Sequence, residues 1–234
     1  MHTPSSVTRR QFLSGLFSLS VAGFLPRQND TAIIVLPVDH TLRVNAFIRV
    51  LQEQHMRHDD VLHDEQKANL VYAFININPS YHLEEAIAVA CSMSYQPTCH
   101  IVDEYVRRKK GEASRLPDHP VMRVKAWGVP DTYRVLIFRE QINALLAEMT
   151  GSSLEYGKQI CNEMMIGEVK ENNFASFLCE KYQSFNRDEI KAIYDAVLYY
   201  APTGRPYTWC SSMVDRADVL SERQKDGKVA RPIL

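Results

Sequence analysis

The chain has 234 residues, enough for one domain, with or without appendages, and for a substantial buried core. Its 27 basic and 28 acidic side chains leave a net charge of −1, so the basic footprint of a nucleic-acid binder is missing. Nine glycines are few for a nucleotide-binding α/β enzyme, and neither a Gly-rich phosphate loop nor a Gly-x-Ser-x-Gly nucleophile motif occurs.

At the N-terminus, Arg9 and Arg10 precede an apolar stretch, Phe12 to Leu25, that is interrupted by three serines and two glycines. It is too short to cross a hydrocarbon core, which takes about 20 apolar residues. Ser20-Val21-Ala22 sets small residues before a cleavage point after Ala22. The run Thr8-Arg9-Arg10-Gln11-Phe12-Leu13 resembles the bacterial twin-arginine export signal, Ser/Thr-Arg-Arg-x-Phe-Leu-Lys, and departs from it only at Ser14. That resemblance implies a signal peptide over 1–22, read through Arg9, Arg10, Phe12 and Leu13, and a periplasmic mature protein. No cysteine follows the apolar stretch to take a lipid. No second apolar segment follows either, so no membrane span is expected in the mature chain.

In chain order, Ile33-Ile34-Val35-Leu36 allows a short strand that Pro37 ends. Val44, Phe47, Ile48 and Leu51 recur at helical spacing, as do Leu62, Ala68, Leu70, Val71 and Phe74. Asn78-Pro79 reads as N-cap and first residue of a helix with Leu83, Ala86, Ile87 and Ala90 inward. Thr98 to Lys110 reads as the next helix, its basic run Arg107 to Lys110 closing it before Gly111. Glu112 to Pro120 reads as a linker. Met122, Val124 and Ala126 alternate as in a strand, and Asp131 is expected to open a helix through Leu146. Ser152 with Glu155, and Asn186 with Glu189, have capping-box spacing, and Phe174, Phe177 and Leu178 mark a further helix. The expected fold is mainly α: about seven helices in one domain over 23–202, with at most two short strands. A polar tail over 203–234 is expected to stay out of the core. Within it Cys210 to Ala217 also resembles the D-arm of a transfer-RNA gene read as protein.

Five cysteines in an oxidising compartment invite pairing. Cys91 with Cys99, and Cys161 with Cys179, are the local pairs, although four cysteines allow three connectivities and Cys210 would be left over. His55, Asp59 and His63 carry metal-ligating groups and would share a face if one helix ran through them. They fall between two helical patterns, however, which favours a solvated connector. Glu148, before Met149-Thr150-Gly151-Ser152, is the candidate general acid, since a carboxyl group at a helix end facing a cleft can have a raised pKa. Glu84-Glu85 reads as a first-turn pair helping the helix dipole. Tyr194, Tyr199, Tyr200, Tyr207 and Trp209 read as a core edge rather than a sugar platform or a partner-binding patch. No cofactor motif is present.

A twin-arginine signal on a helical chain without catalytic motifs is similar in layout to the small subunits of periplasmic flavin-dependent sugar and polyol dehydrogenases. Phe47 to Pro79, with Asp59-Asp60-Val61-Leu62 at an Asp-x-x-Leu-like step, and Ala192 to Cys210 carry that similarity. The family's Ala-Trp-Tyr segment has no counterpart, because Ala126-Trp127 lies too far upstream. The resemblance implies a non-catalytic accessory subunit with a larger exported protein partner. The competing expectations are a periplasmic hydrolase acting on envelope polymer, and a stand-alone exported domain.

Overall fold

A computed structural model describes residues 38–56, 62–79, 81–93, 99–126, 128–202 and 204–226. Among these residues the fold is all-α, a single domain of nine helices without a strand; one isolated bridge joins Phe138 to Arg205. Helix α1 (Val38–Met56) turns Val44, Phe47, Val50 and Leu51 inward at helical spacing. Phe47 meets Phe74 of α2 (Asp64–Ile77) with ring centroids 5.2 Å apart. Helix α3 (His82–Ser92) is the centre of this half, with every residue from Glu84 to Ser92 buried. Its run of alanines and aliphatics has no polar face to spare, so it has to be covered all round. Helices α2, α4 (Cys99–Lys109) and α9 (Tyr207–Lys225) provide that cover, and α9 also lies along α1.

The other half is built on a hairpin of α5 (Arg139–Thr150) and α6 (Leu154–Met165), joined by Gly151 at φ 64°. Gly157 sets their approach: a Cβ there would meet the Asn143 carbonyl and lie 2.7 Å from the Ala147 nitrogen. The short α7 (Glu171–Phe174) and α8 (Arg187–Tyr200) complete this half. One continuous apolar core, from Val44 to Ala217, unites the two.

Several local expectations need correction. Asn78 does not begin a helix; it ends α2 in the left-handed region at φ 49°, and α3 restarts behind Tyr81. Residues 131–138 are not helical, because Tyr133 and Arg134 both have positive φ and α5 starts only at Arg139. The expected strand near Met122 is a 3₁₀ turn, Pro120–Met122, followed by irregular chain. The α6 cap is Ser153, whose hydroxyl accepts from the Tyr156 amide, one residue later than expected. Asn186 behaves as read: its side chain accepts from the amides of Asp188 and Glu189 while Glu189 accepts from the Asn186 amide. The expected strand at Ile33–Leu36 lies outside the described residues.

The largest correction concerns the tail. Tyr207–Lys225 is a helix that buries Cys210, Met213, Val214 and Ala217. Its N-terminus is anchored from α5, where the Glu140 carboxylate accepts from the Tyr207 amide at 2.9 and 3.0 Å. A carboxylate at that end satisfies an orphan amide and complements the helix dipole.

Two outcomes follow. Ending the chain at Pro202 should uncover α3 and cost several kcal/mol, since burying a Met or Val side chain alone is worth about 1.5–3 kcal/mol. A melting temperature at least ~8 °C lower than that of the full chain is expected; an unchanged melt would exclude α9 from the fold. Gly157→Ala should force α5 and α6 apart and cost about 1–3 kcal/mol, read by urea denaturation, with no loss expected if the two helices have slack.

Candidate functional site

Of the candidates read from the sequence, Glu148 is the best defined. It lies in the last turn of α5, where its Oε1 accepts from the Tyr182 hydroxyl at 2.6 Å and from Lys181 Nζ at 2.9 Å. Tyr182 and Lys181 are brought there by the 3₁₀ turn Glu180–Tyr182. These hydrogen bonds hold the carboxyl below its ordinary pKa, Tyr182 contributing most. A general acid uses the opposite shift; here Glu148 is placed as an ion-paired, hydrogen-bonded carboxylate.

Of the metal candidates only His63 lies wholly among the described residues. His63 is exposed at the N-cap of α2, where its backbone amide donates to Gln66 Oε1 at 2.9 Å. His55 is in the last turn of α1, and its side chain and Asp59 lie outside the described residues. The signal residues Arg9, Arg10, Phe12 and Leu13 lie outside them as well.

The thiol expectations change too. No disulfide joins any two of Cys91, Cys161, Cys179 and Cys210; the side chain of Cys99 lies outside the described residues. Cys161 faces the core from α6. Cys179 is held elsewhere, its amide donating to the Met149 carbonyl at 2.8 Å and its Cβ closely facing Gly151. Burial raises the pKa of both Cys161 and Cys210, and the nearby Cys91 raises that of Cys210 further. Neither thiol has the thiolate character of a nucleophile. Among the aromatics, Tyr194 and Tyr200 are buried, and Tyr207 packs edge-on against Phe138, as a core edge would.

Charge is concentrated instead in buried ion pairs that the sequence reading did not foresee. Glu104 and Arg108, four residues apart on α4, have side chains 1% and 3% exposed and pair at 2.6 Å. Glu104 also accepts from the Ser114 hydroxyl and the Arg115 amide. Arg108 donates to the carbonyls of Leu116, Pro117 and Arg134 and to Asp118. The expected linker over 112–120 is thus strapped onto α4. Burial opposes ionisation of Glu104, but the hydrogen bonds from Ser114, Arg108 and Arg115 outweigh it and lower its pKa.

Glu84 and Glu85, the first-turn pair of α3, are both buried. Glu84 is met by Lys109 and by the Tyr105 hydroxyl, both from α4. Glu85 is met by Arg43 of α1, whose Nη2 also donates to Asp218 of α9 at 3.0 Å. His82 stands one turn before Glu85. Ligating atoms of His82, Glu85 and Asp218 all lie within 4.8 Å of one another. His82 and Glu85, three residues apart, were legible as a helical pair; Asp218 was missed because its segment had been read as a tail. Among the described residues a separate open depression is lined by Glu171, Asn172, Ala175, Arg187 and Ile190.

No protein-family model matches the chain, and no curated protein matches its sequence. No helix among the described residues is long and apolar enough to cross a membrane.

Because the Glu104 pKa is lower in the folded chain than its ordinary 4.5, its contribution is present above pH 4.5 and is lost as acid protonates it. Glu104→Gln should cost up to about 3–5 kcal/mol at neutral pH, because it removes the nearer counter-charge of buried Arg108 and leaves it only Asp118 at 3.3 Å. The gap to the unmodified protein in urea denaturation should narrow at pH 3. An equal gap at both pH values would mean that the carboxylate charge is not what holds the strap.

Proposed function

We propose that the chain is an exported helical protein without a catalytic site of its own, acting as an accessory subunit of a periplasmic oxidoreductase. One observation carries the reading: a twin-arginine run, Thr8 to Leu13, heads a chain whose candidate acid, Glu148, is held ionised in a surface ion pair. Twin-arginine signals are read on proteins exported already folded, and such a protein can bring a signal-less partner with it. The all-α fold agrees with what the layout resemblance implies. The buried thiols and the strapped loop 112–120 are in keeping with a structural role.

Export supplies the first test. Replacing Arg9 and Arg10 by Lys should leave the precursor in the cytoplasm; an undiminished periplasmic pool would remove the basis of the proposal. Tagged protein purified from periplasm should then bring with it a larger chain that has no signal of its own. Recovery of the exported protein alone, under conditions that preserve weak complexes, would exclude the accessory role.

A further inference from the structure

We propose that His82, Glu85 and Asp218 form a binding site for one first-row divalent cation at the junction of α1, α3 and α9. Glu85 provides the main argument. Its side chain is 1% exposed, yet Oε2 accepts no hydrogen bond among the described residues, and its one charged partner, Arg43, lies against Oε1. A carboxylate oxygen removed from water and left without a partner is costly, and such atoms are rare in folded chains. Within 4.8 Å of a Glu85 carboxylate oxygen lie two further ligating groups: an imidazole one turn away on the same helix face and the Asp218 carboxylate from α9.

The donor set also selects the ion class. One nitrogen and two carboxylate oxygens suit zinc and its first-row neighbours, with bonds of about 2.0–2.2 Å. The spread of up to 4.8 Å between ligating atoms is wider than a bound ion requires. Exposed His82 and part-exposed Asp218 can close it by side-chain rotation. His82 also opens the site to solvent, which provides the entry path and leaves a coordination position for water.

The charge balance leaves room for the ion. Arg43 offsets only one of the two carboxylates and touches both, so guanidinium and metal compete for the same oxygens. At 28% exposure, the Arg43 side chain can swing outward when the ion enters. The proposal is independent of the accessory-subunit reading and of the His55 to His63 segment.

The test is calorimetric titration of the chelator-stripped full chain with zinc ion, with elemental analysis of the complex and circular dichroism of every variant. One zinc per chain is expected. His82→Ala and Asp218→Asn, both at accessible positions, should each weaken binding by about ten-fold or more. Arg43→Gln should tighten it by removing the competing cation, and the His55→Ala, His63→Ala double variant should bind as the unmodified chain does. Absence of saturable zinc binding, affinity unchanged in His82→Ala and Asp218→Asn, or loss of binding in the His55, His63 double variant would each overturn the assignment.

Discussion

Burying Glu85 in the first turn of α3 requires a positive charge beside it, and the arrangement of three helices meets that requirement. Arg43 of α1 meets Glu85 of α3, and the same guanidinium nitrogen is held by Asp218 of α9. A second, solvent-exposed pair joins the same two helices, Arg216 of α9 reaching Glu53 of α1 at 3.2 Å. Apolar burial supplies most of the driving force for docking α9, but it is non-directional. The charge pairs are directional and tie named positions of α9 to α1 and α3. Cys210, Met213, Val214 and Ala217 then meet α3 in one register.

The Glu104–Arg108 pair does the same for the irregular chain. Residues 112–137 contain no long helix to bury, and loops of that length need a reason to stay on the surface they cover. Arg108 provides it by donating to carbonyls at Leu116, Pro117 and Arg134, so that one buried side chain fixes several turns of loop. In α5 a buried Gln141 continues the pattern, donating to Thr132 and accepting from the Phe138 amide.

The parts of the fold that were legible in the sequence are those decided locally. The Asn186–Glu189 cap, the inward stripe Val44, Phe47 and Leu51, and the helix end at Gly111 each depend on neighbours within one or two turns. The failures share a different cause. Val135 to Phe138 is apolar because tertiary contacts bury it, and the positive φ at Tyr133 and Arg134 keeps it out of the helix. Helix α9 carries its stripe on small or weakly apolar residues, Cys210, Val214, Ala217 and Ser221, set among charges that mask the period. The transfer-RNA-like stretch falls on that stripe. The candidate site divides in the same way: His82 and Glu85 form a visible i, i+3 pair, whereas Arg43 and Asp218 join them only through folding. Glu148 was correctly placed at a helix end, but its partners Lys181 and Tyr182 are far along the chain and reverse the expected shift.

The central claim is that α9 is an integral layer of the core, fixed to α1 and α3 through Arg43 and Asp218. Amide hydrogen exchange of the full chain, followed peptide by peptide, tests it most directly. Amides over 210–221 should be protected to about the level of those in α3 and should open together with them, since helices in one cooperative unit exchange as one. Exchange over 210–221 at the rate of unstructured chain, with α3 still protected, would contradict the account.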